Sequence, residues 1–243
     1  QDPSLAALLK AVQRVDIHED RLSLDYLWHP QLLTLLERKG AEVLIGTDEK
    51  ARLLAYADFV RKTASRYPNH SQQPARVLVE SVFHFARQRG GEPVAENRAA
   101  LTALGAYVAG VSLPQLLEGR GRSTRRAPPV LLVLHGRRDA AEHLLIAAAI
   151  SAAGGSRLAN AIGLAKEEED VVSGSGFSFT DLAYDRAGAR LGDLATGERA
   201  ANVRDILSAL ADDAALSPSF ADLPEFLPND EFVRRFDKPG SPA

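Results

Sequence analysis

Proline and glycine divide this chain into segments that have the length and the hydrophobic spacing of α-helices. Pro74 begins one such segment, which the pair Gly90-Gly91 ends, and Pro93 begins another that ends near Gly110. Proline suits the first turn of a helix because its missing N–H would have no partner there, and glycine is favoured just past the end. The pattern predicts helices joined by short turns along most of the chain.

Other segments carry the same helical spacing of apolar residues. These segments are 3–12, 30–38, 47–67, 137–153, 156–171, 180–196, 198–212 and 230–235. Only the run from Val130 to Leu134 has the continuous aliphatic character of a short strand. We therefore predict a mainly α fold, a helical bundle with at most one short β segment near residues 130–134.

The length of the chain, 243 residues, is enough for one sizeable hydrophobic core. We predict a single α-helical domain over residues 1–243. The alternative is a subdivision near residues 119–129, which are rich in glycine, arginine and proline. Residues 214–243 are rich in proline, and we expect an irregular C-terminal tail there.

Composition excludes several classes of protein. The chain has no cysteine, which excludes disulfides, iron–sulfur clusters and cysteine-based zinc motifs. Its formal net charge of −3 offers no basic excess for neutralising phosphates, so we expect no nucleic-acid partner. No apolar run reaches the roughly 20 residues that a membrane-spanning helix needs, so we expect a soluble protein without a transmembrane span. The start at Gln1, without methionine, indicates a processed or trimmed N-terminus.

Three predicted helices in the C-terminal half each carry acidic or imidazole groups on one face. The residues on these faces are Asp139 and His143 in the first helix, Gly163, Glu167 and Asp170 in the second, and Asp181, Asp185, Gly188 and Gly192 in the third. Within each helix they are three or four positions apart, a spacing that puts side chains on the same face. In the first helix this face continues into an apolar stripe, so the polar pair lies at the edge of a buried surface.

Glycines on these faces favour close approach of the helix backbones, because glycine inside a helix costs about 1 kcal/mol relative to alanine and needs a compensating contact. If the faces meet, several carboxylates and one imidazole come together. Such a cluster stays ionised only with bound cations, basic partners or shared protons. Nearby Arg137, Arg138, Lys166 and Arg186 make salt bridging a serious structural interpretation.

The loop before the third of these helices, residues 173–180, combines glycine and serine with two phenylalanines. Glycine permits close approach of the backbone to a ligand, and we include Ser175 among the candidate ligand contacts. Ser178 or Thr180 can cap the helix that follows. Phe177, Phe179 or both can anchor the loop in the core, so we predict that it is ordered.

The spaced pattern of these residues resembles a known family. An Asp139-x-x-x-His143 helix, a following Glu167, and an Asp181-x-x-x-Asp185-x-x-Gly188 helix after a small-residue loop resemble the YfiM-type bacterial envelope lipoproteins and, more distantly, the VanZ-like membrane proteins. The resemblance covers about residues 135–192. It implies a periplasmic or envelope location and a single site that comprises Asp139, His143, Glu167, Asp181 and Asp185.

Our primary hypothesis is a soluble bacterial envelope protein that binds a divalent cation, a small polar ligand or an envelope component. The candidate ligand-binding residues are Asp139, His143, Glu167, Asp170, Ser175, Asp181 and Asp185, of which His143, Glu167 and Asp181 are the candidate metal ligands. One alternative is a hydrolase in which His143 or Glu167 is the general base and carboxylates hold a metal that activates water. The other is a non-catalytic structural or adaptor protein whose faces only pack.

Overall fold

The computed structural model describes residues 12–18, 21–26, 47–117, 129–154, 178–225 and 227–236. The chain divides into two compact units. The first comprises Gln1–Lys50 with Pro114–Ser123, and the second comprises Ala51–Leu113 with Thr124–Ala243. The second unit contains the candidate site, whereas the prediction of one domain stays a prediction.

The first unit contains an antiparallel hairpin of β1, Val12–His18, and β2, Arg21–Tyr26. The expectation of at most one β segment, near 130–134, is therefore wrong in this detail. Of the helix predicted over 3–12, residues 3–11 lie outside the described residues, and Val12 belongs to β1. The reason lies in the sequence that follows. Apolar residues alternate with polar ones from Val15 to the end of β1 and through all of β2, which is the period of a strand and not that of a helix. The helix predicted over 30–38 lies outside the described residues.

Helices make up most of the described chain, and the predicted mainly α fold is confirmed. They are α1 Thr47–Ala64, α2 Ala75–Arg89, α3 Pro93–Val108, α4 Leu113–Leu117, α5 Arg138–Gly154, α6 Phe179–Thr196, α7 Ala200–Leu207, α8 Asp213–Leu216 and α9 Asn229–Phe236. Most boundaries follow the proline, glycine and cap signals of the sequence. Within the described ranges, none of these helices is both long and apolar enough to cross a membrane.

A short parallel pair of strands joins two distant parts of the second unit. Strand β3, Gln72–Pro74, pairs with β4, Leu131–Val133, and Gln72 lies opposite Leu131. The strand predicted near 130–134 is thus present. Its partner was not predicted, because Gln-Gln-Pro is too short and has no apolar alternation to indicate a strand.

Helix α5 is the centre of the second unit, and it packs against both α6 and α3. Its backbone meets glycines on each side. A Cβ at Gly188 would lie 2.1 Å from the carbonyl oxygen of Leu144, and one at Gly192 would lie 2.5 Å from that of Ala148. On α3, a Cβ at Gly105 would lie 2.5 Å from the Cβ of Ala149. The predicted close packing of the glycine-bearing helices is confirmed for α5 and α6, whereas Gly163 lies outside the described residues.

A buried amide fixes the turn between α6 and α7. Asn97, on α3, is 0% exposed, and its Nδ2 donates to the carbonyl oxygens of Ala195 and Ala200, each at 2.8 Å. These carbonyls lie at the end of α6 and the start of α7. One side chain therefore holds three helices in place, at the cost of an Oδ1 atom that has no hydrogen-bond partner within the described residues.

A second buried polar group joins α1, α2 and α3. The carboxylate of Glu96 accepts hydrogen bonds from Arg52 Nε at 3.0 Å, Arg89 Nε at 2.7 Å and Tyr56 Oη at 2.8 Å. Burial raises the pKa of Glu96, but the hydrogen bonds from Tyr56 and Arg89 outweigh it and the net pKa is lowered. Burial and the bond to Glu96 raise the pKa of Tyr56. This cluster is saturated with donors, so we interpret it as structural.

Candidate functional site

His143 lies between two carboxylates of the neighbouring helix. From α5, its Nδ1 is 2.9 Å from Asp185 Oδ1, and its Nε2 is 3.4 Å from Asp181 Oδ2. Asp181 and Asp185 are one turn apart on α6, so together they span the two nitrogens of the ring. The three side chains are 12%, 13% and 9% exposed for His143, Asp181 and Asp185 respectively. We call these three residues the His143 cluster.

The start of α6 positions Asp181. Ser178 is the N-cap residue, and its Oγ accepts a hydrogen bond from the backbone N–H of Asp181 at 3.1 Å. This confirms one of the two caps that the sequence offered. An acidic side chain in the first turn is also favoured by the helix dipole. The predicted burial of Phe177 or Phe179 is met in part: Phe179 is half-buried against Leu182 and Leu227, and Phe177 lies outside the described residues.

The two carboxylates hold His143 in its protonated form. Burial alone would lower its pKa, but the hydrogen bonds with Asp181 and Asp185 outweigh burial and raise the pKa of His143 to about 10. Both ring nitrogens then donate at neutral pH, and the cluster carries one positive and two negative charges. A protonated ring cannot accept a proton, which argues against His143 as a general base near neutral pH.

One oxygen of the cluster is left without a donor. Oδ1 of Asp181 is buried and has no hydrogen-bond partner among the residues that the structure describes. Leaving a buried acceptor unsatisfied costs about 1–3 kcal/mol, and more when the group is charged. The cluster therefore combines an excess of one negative charge with an acceptor that can take a hydrogen bond.

Asp139, predicted to share the site, has a different partner. Arg137 Nε donates to its Oδ1 at 3.2 Å, and the same guanidinium also pairs with Glu225. Burial raises the pKa of Asp139, but the hydrogen bond from Arg137 outweighs it and the net pKa is lowered. The structure thus brings His143, Asp181 and Asp185 together. It pairs Asp139 with Arg137, because Arg137 ends the turn after β4 and directly precedes the first turn of α5.

The remaining predicted site residues, Glu167, Asp170 and Ser175, lie outside the described residues. Across the ranges that are described, no group of three or more histidine and acidic side chains could hold a metal ion as it stands. Both ring nitrogens of His143 face carboxylates, so neither is free to bind a metal unless the ring first loses a proton. The metal set of His143, Glu167 and Asp181 stays a prediction.

Sequence reasoning missed the part that the C-terminal segment plays beside this cluster. Phe220 packs edge-to-face on Tyr184, with ring centroids 4.9 Å apart, and Glu225 pairs with Arg137. The sequence did offer one signal, Phe220 within the proline-rich tail. An aromatic side chain in an otherwise polar segment indicates that the segment is anchored to the core. The spacing of charges gave no indication of the pair between Arg137 and Glu225, which are 88 positions apart.

Comparisons with known proteins find no relative. No protein-family model matches this chain, and neither the curated proteins nor the solved structures show a significant match. The resemblance to YfiM-type envelope lipoproteins therefore continues to rest on the spaced pattern of residues alone.

Proposed function

We propose that this chain is a bacterial envelope protein that binds a cation or a small polar ligand at the His143 cluster. The observation that carries the proposal is the buried Oδ1 of Asp181, which has no partner among the described residues and lies beside an ion cluster with one excess negative charge. A ligand that offers a positive charge or a hydrogen-bond donor would satisfy both features. The envelope location follows from the family resemblance.

Two modes of binding are chemically distinct. A cation or ammonium group bound by Asp181 alone leaves the proton on His143. A metal ion bound through a ring nitrogen has to displace that proton, and its apparent affinity then rises with pH up to the pKa of the ring. The pKa of His143, raised to about 10 by its two carboxylates, extends this dependence across the neutral range.

Binding can be measured by thermal shift and calorimetry with three probes, each added alone: Zn²⁺, Ca²⁺ and ethanolamine. A ligand that binds only the folded state stabilises it, by about 2.7 kcal/mol at a concentration of 100 times Kd. We expect at least one probe to raise the melting temperature of the wild-type protein. Repeating the titration at several pH values separates the two modes.

The matched variants are Asp181→Asn and Asp58→Asn. Each removes one carboxylate charge, but Asp58 is an exposed residue whose partners within the described part of the chain are Arg61 and Lys62 on its own helix. We expect the response to disappear in Asp181→Asn and to persist in Asp58→Asn. If no probe stabilises the wild-type protein, or if Asp181→Asn responds as the wild type does, the proposal fails and packing alone explains the cluster.

A further inference from the structure

The segment Ser217–Glu225 crosses the first two turns of α6. The backbone N–H of Phe179 donates to the carbonyl of Pro224 at 3.0 Å. The hydroxyl of Thr180 lies 3.4 Å from the carbonyl oxygens of both Phe220 and Leu223, and the Phe220 ring contacts Tyr184 at an interplanar angle of 74°. The segment is therefore bound to α6 through backbone carbonyls and one ring.

Both ends of this segment are attached near the start of α5. At one end, Nε2 of His135 donates to the carbonyl of Ser217 at 2.8 Å, which fixes the ring with its proton on that nitrogen. At the other end, Glu225 pairs with Arg137. His135 and Arg137 belong to the tight turn Leu134–Arg137, in which the central residues His135 and Gly136 have φ values of 51° and 77°. One turn thus holds both ends of the segment.

The residues of α6 that the segment contacts are sequence neighbours of the two carboxylates of the His143 cluster. Thr180 is 0% exposed and Tyr184 is 1% exposed, and each directly precedes one of the two cluster carboxylates, Asp181 and Asp185. The segment itself belongs to no helix or strand, and most of its side chains between Pro218 and Leu223 are exposed. Few bonds would have to break for it to leave α6, whereas α5 and α6 are in backbone contact.

We propose that Ser217–Glu225 is a strap that shields the His143 cluster from solvent, and that its release exposes Asp181 and Asp185. The consequence for ligand entry rests on the proposed function, but the shielding does not. It can be tested without any ligand, so a failure here is distinguishable from a failure of binding.

Carboxyl labelling measures this shielding directly. The protein is treated with a water-soluble carbodiimide and glycine ethyl ester, and labelling at each carboxylate is followed by peptide mass spectrometry. The variant Phe220→Ala removes the ring that packs on Tyr184, and Leu223→Ala removes a side chain of the same strap that is 39% exposed. Both keep the carbonyls that face Thr180. Glu96, which is buried on α3 and bonded to residues outside the strap, reports global unfolding.

We expect Asp181 and Asp185 to be labelled about fivefold faster or more in Phe220→Ala than in the wild type. Their labelling in Leu223→Ala, and the labelling of Glu96 in both variants, should stay at the wild-type rate. Wild-type labelling of both carboxylates in Phe220→Ala overturns the proposal. If Glu96 reacts faster as well, the variant has lost its fold, and Glu225→Gln decides instead because it removes only the ion pair at one end of the strap. Faster labelling of Asp181 and Asp185 in Glu225→Gln supports the strap, and unchanged labelling there overturns it.

Discussion

Gly188 lies against the carbonyl oxygen of Leu144, so that a Cβ at this position would be only 2.1 Å from that oxygen. The contact joins α5 and α6 immediately beside the His143 cluster, since Leu144 follows His143 and Gly188 lies three positions after Asp185. Backbone contact at this point is what lets the short side chain of Asp185 reach the imidazole.

Replacing Gly188 by alanine should destabilise the protein strongly. The added methyl meets backbone, which cannot move aside as a flexible side chain can. Overpacking of a core usually costs 1–3 kcal/mol, and we expect about 3 kcal/mol or more here. Urea unfolding measures the change, and Arg186→Ala, at an exposed position of the same helix, is the control. A variant as stable as the wild type would show that the two helices are not packed this closely.

The stability of the protein should depend on the protonation of His143. Its pKa is about 10 in the folded state, above the ordinary value of 6.5, so its contribution is fully present below pH 6.5 and is lost as the pH rises towards 10. Within this window the free energy of unfolding should fall by up to about 1.4 kcal/mol per pH unit.

His143→Gln removes this pH dependence, whereas His84→Gln, at an exposed histidine, retains it. Denaturant unfolding from pH 6 to pH 10 compares the two variants with the wild type. Because the wild-type ring is bonded by two carboxylates, we also expect His143→Gln to be less stable at neutral pH. Indistinguishable slopes in the wild type and His143→Gln would contradict a protonated His143.

Removing the carboxylate of Glu96 should weaken the packing of α1, α2 and α3 against one another. Glu96→Ala leaves Tyr56, Arg52 and Arg89 without their common acceptor. Loss of one partner from a buried ion pair costs 3–5 kcal/mol, and we expect about 3 kcal/mol because the two arginines are partly exposed. Glu198→Ala, at an exposed carboxylate, should change the free energy of unfolding by less than about 0.5 kcal/mol. Equal stability of the two variants would rule out a structural role for the cluster.

The amide of Asn97 should be irreplaceable by a carboxylate. Asn97→Asp keeps the shape but points oxygens at the carbonyls of Ala195 and Ala200, where two N–H groups now donate. Burial without a donor raises the pKa of the introduced carboxyl, so the loss of stability should be small at pH 4 and grow to about 3 kcal/mol at pH 7. Asn69→Asp, at an exposed loop position, provides the control. A loss that does not vary with pH would refute this account.

Helix boundaries were largely predictable because local chemistry sets them. Pro93 lies in the first turn of α3, and Gly90 ends α2 with a φ of 66°. Both residues influence the backbone only within a few positions, so their effect can be read from the sequence. Helix α7 departs most from its predicted end, since it ends at Leu207 and not near residue 212. There the hydroxyl of Ser208 donates to the carbonyl of Asp205 at 2.8 Å, beside the last turn.

The site was predictable only where residues share a helix or a spaced pattern. The approach of His143 to the acidic face of α6 followed from helical faces and small residues, but the pairing of Asp139 with Arg137 did not. Helical spacing shows which side chains share a face. Which partner each of them binds also depends on distant segments that fold back against the helix. Glu225 returns to the start of α5 from far along the sequence, and no local signal encodes that path.

Gly188 and Gly192 contact the carbonyl oxygens of Leu144 and Ala148, which are also one turn apart. Two such contacts in succession prevent α5 from sliding or rotating on α6, because either motion would drive backbone into backbone. The distance between His143 and its two carboxylates is therefore set by a rigid frame. If the cluster binds a ligand as we propose, the ligand would have to adapt to that frame, and selectivity would come from size and shape before it comes from charge.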